Sequence, residues 1–97
     1  MRVPRGLPPP FPLRHEPGWV GAFTRETAQG AMPNGTRVVK CNAEKGDTHE
    51  DGTPGVVLGS MSSPKIRAGE VMYFVEWAAS PRVAVGVVAA KVRAAAT

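Results

Sequence analysis

The sequence predicts an all-β fold, a small five-stranded barrel with a disordered or loosely attached proline-rich arm at its N-terminus. Two observations predict it: seven of the ten prolines lie before Asn34, and the valine-rich runs begin only at Arg37. Proline lacks a backbone donor and fixes φ, so the first stretch cannot pair centrally in a sheet. A chain of 97 residues allows one domain with a small core. We therefore expect residues 1–33 to form a flexible arm and residues 34–97 to form the barrel.

Short apolar runs, rich in valine and aromatic residues and separated by turn residues, follow Asn34. Such runs are typical of strands. The predicted strands are residues 35–41, 55–61, 70–77, 83–88 and 91–93. So short a segment cannot protect both faces of an open sheet, but it can curl into a twisted barrel. The connection is long after the first predicted strand, intermediate after the second and very tight after the third. Ala89 and Ala90 would form one helical turn between the fourth and fifth strands. This order of connections is that of an SH3-like barrel.

A helix over residues 83–96 is the alternative, because alanines dominate its second half. The β-branched Val83, Val85 and Val87 and the central Gly86 favour a strand instead. We keep the strand through Val88 and leave open a short helix over residues 89–95.

Three interpretations of the role of the arm are open. Its proline run at residues 8–12 favours polyproline II and would serve as a ligand motif with Trp19 and Phe23 as anchors. Short proline motifs also arise by composition alone, so an unselected tail is the reading we favour. In the third reading, Phe11, Trp19 and Phe23 cover an apolar patch on the barrel or on a neighbouring subunit.

The charge of the chain narrows its partners only slightly. Twelve Lys and Arg against eight Asp and Glu give +4, with no basic run, which permits anionic ligands without requiring them. Cys41 is the only cysteine, so no intrachain disulfide forms and no cysteine metal site is predicted. No run is long and apolar enough for a signal peptide or a membrane span, so we expect a cytoplasmic protein without a membrane partner.

Residues 35–93 resemble the type II dihydrofolate reductases, which are small plasmid- and cassette-borne enzymes. The stretches that carry the resemblance are Gly35-Xaa-Arg37-Val38-Xaa-Lys40, Gly55-Val56-Val57-Leu58-Gly59, Tyr73-Xaa-Val75-Glu76 with Ala79-Ser80-Pro81, and residues 83–90. The resemblance implies an SH3-like barrel and a ring of four subunits around one pore. It also implies that NADPH and folate are ligands, so NADPH is a cofactor only under this reading.

In that family a Val-Gln-Ile-Tyr strand and a lysine line the pore. The resemblance thus implies that Lys40, Val83, Ala84, Val85 and Gly86 are the ligand-binding residues here. Ala84 stands in place of the Gln, however, and Gly86 in place of the Tyr. A site that discriminates by hydrogen bonds fails when its donors are lost, so these replacements argue against ordinary reductase activity.

The long loop between the first two predicted strands holds the densest cluster of titratable residues, Asp47, His49 and Asp51. On an extended loop these side chains could converge on a metal, or His49 and Asp51 could form an acid–base pair. An exposed turn closed by Gly52 and Pro54 is the reading we favour, because metal sites usually draw ligands from several elements. We predict no metal site and keep the loop as a second candidate functional surface.

The third predicted strand offers an interface. Alternate strand residues face opposite sides, so Tyr73 and Trp77 share one face while Met72 and Phe74 share the other. One face must be core, and an exposed apolar strip on the other would contact a partner or subunit. The interface candidates are Met72, Phe74 and Trp77. We predict no catalytic residue, since Cys41 follows an apolar strand and no serine has His and Asp close in sequence.

Three functions follow. The preferred one is a non-enzymatic small-barrel module that forms a homo-oligomer and binds an unknown protein or small molecule. The second is a reductase of the type II kind. The third is a nucleic-acid-binding barrel, which would use Lys40, Lys65, Arg67 and Arg82 on one face.

Overall fold

A computed structural model describes residues 18–62 and 70–95 and confirms the all-β prediction. Its strands are β1 (Arg37–Lys40), β2 (Pro54–Met61), β3 (Met72–Trp77), β4 (Ala84–Val88) and β5 (Val92–Ala94). A single 3₁₀ turn, Ala89–Lys91, links β4 to β5, and no α-helix occurs in either described range. The alternative of a helix over residues 83–96 is therefore wrong, as is the shorter helix over residues 89–95, because β-branched residues on both sides of the turn continue as strands.

The five strands form one antiparallel sheet in the order β4-β3-β2-β1-β5. The last strand pairs with the first, since Val39 of β1 lies opposite Arg93 of β5. With the 3₁₀ turn before β5, this is the strand order of the SH3-like barrel. β3 lies between β2 and β4, so both of its edges are paired.

One face of the sheet forms the main core. Its buried members come from all five strands, namely Val38, Val57, Tyr73, Val75, Trp77, Val87 and Val92. They follow the period of two that strands impose, and Tyr73 and Trp77 share this face as predicted. Partly buried Val85 packs at its border.

The second face is covered by residues 23–28 of the predicted arm, whereas Ala31 and Met32 farther along pack against the main core. Gly59 of β2 lies opposite Phe74 of β3, so the two share this face. A Cβ on Gly59 would lie 1.8 Å from the carbonyl oxygen of Thr24, which places the segment directly over the strand. Phe23 is 0% exposed and Phe74 only 2%. Both lie outside the main core cluster, so they belong to this second layer.

Backbone hydrogen bonds fix the segment along its length. The Ser60 N–H donates to the Glu26 carbonyl (2.8 Å), and the Ala28 N–H donates to Ser60 Oγ (2.9 Å). Farther along, the Met32 N–H donates to the Tyr73 hydroxyl (2.9 Å). We call residues 18–33 the strap. We favoured an unselected flexible tail here; the buried Phe23 instead matches the interpretation in which aromatic residues of the arm cover the barrel.

The strap begins as a short parallel partner of β4. Val20 bridges Val83, because its N–H donates to the Arg82 carbonyl and its carbonyl accepts from the Ala84 N–H, both at 2.9 Å. Gly21 then turns the chain off the edge with φ of +93°. Phe11, with the rest of residues 1–17, lies outside the described residues, and the boundary of the arm at residue 33 stays a prediction.

Phe23→Ala tests whether the strap belongs to the fold. Removing a fully buried aromatic side chain should lower the free energy of unfolding by about 3 kcal/mol, measured by urea denaturation. Val20→Ala is the matched control, because Val20 is 62% exposed and pairs through its backbone; its expected change is within about 0.5 kcal/mol. Equal, small effects of both variants would show that the strap does not stabilise the barrel.

Candidate functional site

A cleft of about 310 Å³ lies between the loop that joins β1 to β2 and the edge of β4. The loop contributes residues 46–49, β4 contributes residues 85–88, and β3 contributes Trp77 at its end. Lys40 and Lys91 complete the wall. The cleft thus joins side chains from several separate parts of the sequence.

The loop over residues 41–53 is held at both ends. Asn42, with φ of +53°, donates from Nδ2 to the Ala90 carbonyl (2.6 Å). The Ala43 N–H donates to Asp51 Oδ1 (2.8 Å), and the Gly52 N–H donates to the Lys40 carbonyl (2.9 Å). Asp51 therefore organises the base of the loop and does not line the cleft.

Two lysines converge on one carboxylate at the cleft. Asp47 Oδ2 lies 3.0 Å from Lys40 Nζ and 2.8 Å from Lys91 Nζ. Lys40 is only 5% exposed, so its charge needs this partner. Lys91 also contacts Glu44 Oε1 at 2.8 Å, a carboxylate that is 75% exposed. This cluster ties the loop to β1 and to the 3₁₀ turn.

The ion pairs shift two pKa values in opposite directions. Hydrogen bonds from Lys91, then from the Glu44 backbone N–H and from Lys40, hold the pKa of Asp47 well below its ordinary value. Hydrogen bonds to Asp47 and Glu44 raise the pKa of Lys91. Both groups are therefore charged across neutral pH, and the cluster carries fixed charges rather than an acid–base pair.

His49 closes the other side of the cleft. Its ring is buried, with the centroid 5.4 Å from that of Trp77 and an interplanar angle of 31°. Its Nε2 lies 3.3 Å from Ser80 Oγ in the β3–β4 turn. A nucleophilic serine needs a histidine that a third group orients, but within residues 18–62 and 70–95 no carboxylate bonds the other ring nitrogen of His49. His49 and Ser80 therefore anchor the loop to the turn.

The five residues that the resemblance implies divide into two groups. Lys40, Val85 and Gly86 line the cleft. Val83 and Ala84 instead adjoin Val20 of the strap at the start of β4. The strap thus occupies the part of the edge that the resemblance assigns to a ligand.

The three titratable residues of the loop, Asp47, His49 and Asp51, also do not all lie at the cleft. Asp47 and His49 line the cleft while Asp51 does not, and each of the three side chains has its own partner. No group of three or more metal-ligating side chains occurs in the part of the chain that the structure describes. The geometry therefore does not bring the three side chains onto one ion.

The interface candidates are largely internal. Trp77 is 1% exposed and lines the cleft, Phe74 lies buried on the strap side of the sheet, and Met72 is half-buried. Lys91 is the charged residue of the cleft that sequence reasoning missed. Its only signal is a basic side chain directly after the Ala89-Ala90 turn, and nothing in the sequence shows that this turn faces Asp47.

Comparison of the chain with protein-family models, with curated proteins and with solved structures found no match. The resemblance to type II dihydrofolate reductases therefore stays a prediction. Across residues 18–62 and 70–95, no helix has the length and apolarity needed to cross a membrane.

Asp47→Asn tests the charge cluster through pH. The lowered pKa of Asp47 means that its stabilisation is present above its ordinary value of 3.8 and is lost as pH falls below that value. The variant should therefore be less stable than the wild type at pH 7, and the difference should shrink below pH 3.8.

Urea denaturation at several pH values measures this difference. Glu50→Gln is the control, because Glu50 is exposed in the same loop and its carboxylate forms no ion pair with any described residue. A difference for Asp47→Asn that stays constant down to acid pH would contradict the ion-pair account.

Proposed function

We propose that this chain is a non-catalytic small-β-barrel binding module whose ligand site is the cleft between the β1–β2 loop and β4. One observation carries the proposal: ammonium groups of Lys40 and Lys91 meet the buried rings of His49 and Trp77 at one cavity. Concave sites with an apolar wall and a few convergent polar groups are the usual form of ligand pockets.

The charge of the cleft supports an anionic ligand. Among the residues that the structure describes, two ammonium groups and one carboxylate, that of Asp47, line the cavity. Glu44, the second partner of Lys91, is largely exposed. Ion pairs with exposed partners contribute little to stability. A ligand carboxylate can therefore replace Glu44 at Lys91 while Asp47 keeps the loop in place.

The reductase-like alternative has one observation in its favour. Lys40, Val85 and Gly86, three of the positions that the resemblance implies, line the same cavity. Ala84 and Gly86 still offer no side-chain donor for a ligand amide, so we place this function second. The nucleic-acid reading gains less support, because Lys40 is buried in an ion pair and the Arg82 guanidinium lies 4.5 Å over the Trp19 ring. Lys65 and Arg67 lie outside the described residues.

Self-association remains part of the proposal. A small core supports it, since a short chain is commonly stabilised by association. Among the described residues, the exposed large apolar side chains are Val20 and Val56, so an interface there would rely on strand edges as well as on side chains.

A panel of aromatic carboxylates tests the cleft. Benzoate and indole-3-acetate should shift the backbone amides of His49 and Gly86 in ¹⁵N-edited NMR spectra. Lys91→Met should weaken that binding about tenfold, because it removes a charge-assisted hydrogen bond. Arg93→Met, which removes an exposed charge from β5, is the control and should leave the affinity unchanged.

NADPH in the same series separates the two functions. Calorimetric binding of NADPH together with reduction of dihydrofolate would establish the alternative and overturn the non-catalytic proposal. No shift at His49 or Gly86 with any carboxylate would overturn the ligand site itself.

Sedimentation velocity at micromolar concentration tests association. We expect a species heavier than the 10.2 kDa chain. A single monomer boundary over the whole concentration range would contradict self-association and leave the cleft proposal untouched.

A further inference from the structure

The edge of β4 presents backbone groups to the cleft. The Ala84 N–H and the Arg82 carbonyl both point away from β3, since both bond Val20. The N–H and C=O of one strand residue point to the same side, and the side alternates along the strand. The N–H and C=O of Gly86 therefore also point away from β3.

These Gly86 groups have no partner among residues 18–62 and 70–95. Val20 bonds the edge only at residues 82 and 84, and β3 bonds the opposite side of β4. Gly86 is exposed and lines the cleft. An exposed donor and acceptor on a strand edge is a template for a further strand.

Glycine at this position lets another backbone approach. A glycine inside a strand weakens it and often marks a place where a ligand or a second backbone comes close. A Cβ on Gly86 would lie 3.2 Å from Met72 Sδ, the mobile end of a flexible side chain, so packing alone does not forbid a side chain here. We therefore attribute the glycine at position 86 to the open strand edge rather than to packing.

The chain itself shows how this edge pairs. Val20 adds to it in parallel, and the strap then leaves because Gly21 has φ of +93°. A Cβ on Gly21 would lie 2.7 Å from the Ala84 carbonyl oxygen, so the strap departs tightly against the edge. Beyond Ala84, no backbone group of residues 18–62 or 70–95 pairs with this edge.

We propose that this open edge binds an extended peptide with an acidic side chain, by addition of one strand to β4. The inference rests on the proposed function, because the peptide occupies the same cleft. Gly86 donates its N–H to one peptide carbonyl and accepts from one peptide N–H. An aspartate or glutamate of the peptide takes the place of Glu44 at Lys91, whose 2.8 Å pairing with Glu44 is exposed.

A blocked pentapeptide, acetyl-Val-Glu-Val-Glu-Val-amide, is the probe. Binding is followed by the Gly86 amide shift in ¹⁵N-edited NMR spectra of the full chain. Gly86→Pro removes the outward N–H, which an edge strand tolerates, and Gly86→Ala adds a Cβ but keeps the N–H. We expect the proline variant to bind at least about tenfold more weakly than the alanine variant, the effect of one lost hydrogen bond; binding to the proline variant is followed at the His49 amide.

Two modified probes keep the test independent of how the variants fold. The same peptide with its internal amides methylated should lose binding to the wild type, because it can no longer donate to the Gly86 carbonyl. The peptide with Gln in place of Glu should bind about fivefold more weakly. Equal binding of the methylated and unmodified peptides, or of the two glycine variants when both fold, would overturn strand addition.

Comparison with the aromatic carboxylates separates this inference from the proposed function. If the aromatic carboxylates shift the cleft amides but the peptide does not bind, the strand-addition proposal is overturned. The proposed ligand site in the cleft then still stands. Failure of both kinds of probe would overturn both. Glu and Gln peptides of equal affinity would overturn the acidic preference.

Discussion

The burial of β3 on both faces is the constraint on which this structure depends. Its Tyr73, Val75 and Trp77 side chains fill the main core, while Phe74 projects to the opposite side. A five-stranded sheet has too little chain to cover that second side by itself. The strap supplies the cover with one buried ring, Phe23, and with backbone hydrogen bonds that end on Ser60 and Tyr73. Tyr73 thus serves both layers, its ring in the core and its hydroxyl at the strap.

The cleft depends on a different kind of contact. Asp47 holds a long loop against the barrel through two lysines that come from opposite ends of the domain, and His49 adds a second attachment at the β3–β4 turn. These contacts attach the loop to the barrel at points between its two ends, which reduces the number of conformations open to it. The loop is therefore a fixed wall of the cavity. A ligand that binds against a fixed wall does not lose affinity to the entropic cost of ordering a loop.

The strands could be predicted because most are short runs of β-branched or aromatic residues between turn residues. The predicted ranges exceed the observed strands mainly at their ends, as with residues 70–77 against Met72–Trp77, where the ladder ends before the apolar pattern does. Covering of the barrel by Phe23 was one of the three interpretations of the arm, but the path of the strap could not be predicted, since its polar stretch has no period. Part of the cleft was within reach: Lys40, Val85 and Gly86 from the resemblance, and Asp47 and His49 from the loop. Lys91 and the pairing of His49 with Ser80 arise from tertiary contacts that no local pattern encodes.

Gly59 has one further consequence. In the resemblance to type II dihydrofolate reductases, Gly59 is one end of a glycine-bounded strand run. In the folded chain it is the point where the Thr24 carbonyl crosses β2 with no room for a methyl group. The requirement for glycine at position 59 therefore comes from a segment more than thirty residues earlier in the chain. A barrel of this topology with any larger residue at that position must leave its second face bare or cover it by another route. A side chain at this position therefore excludes a strap that follows this path.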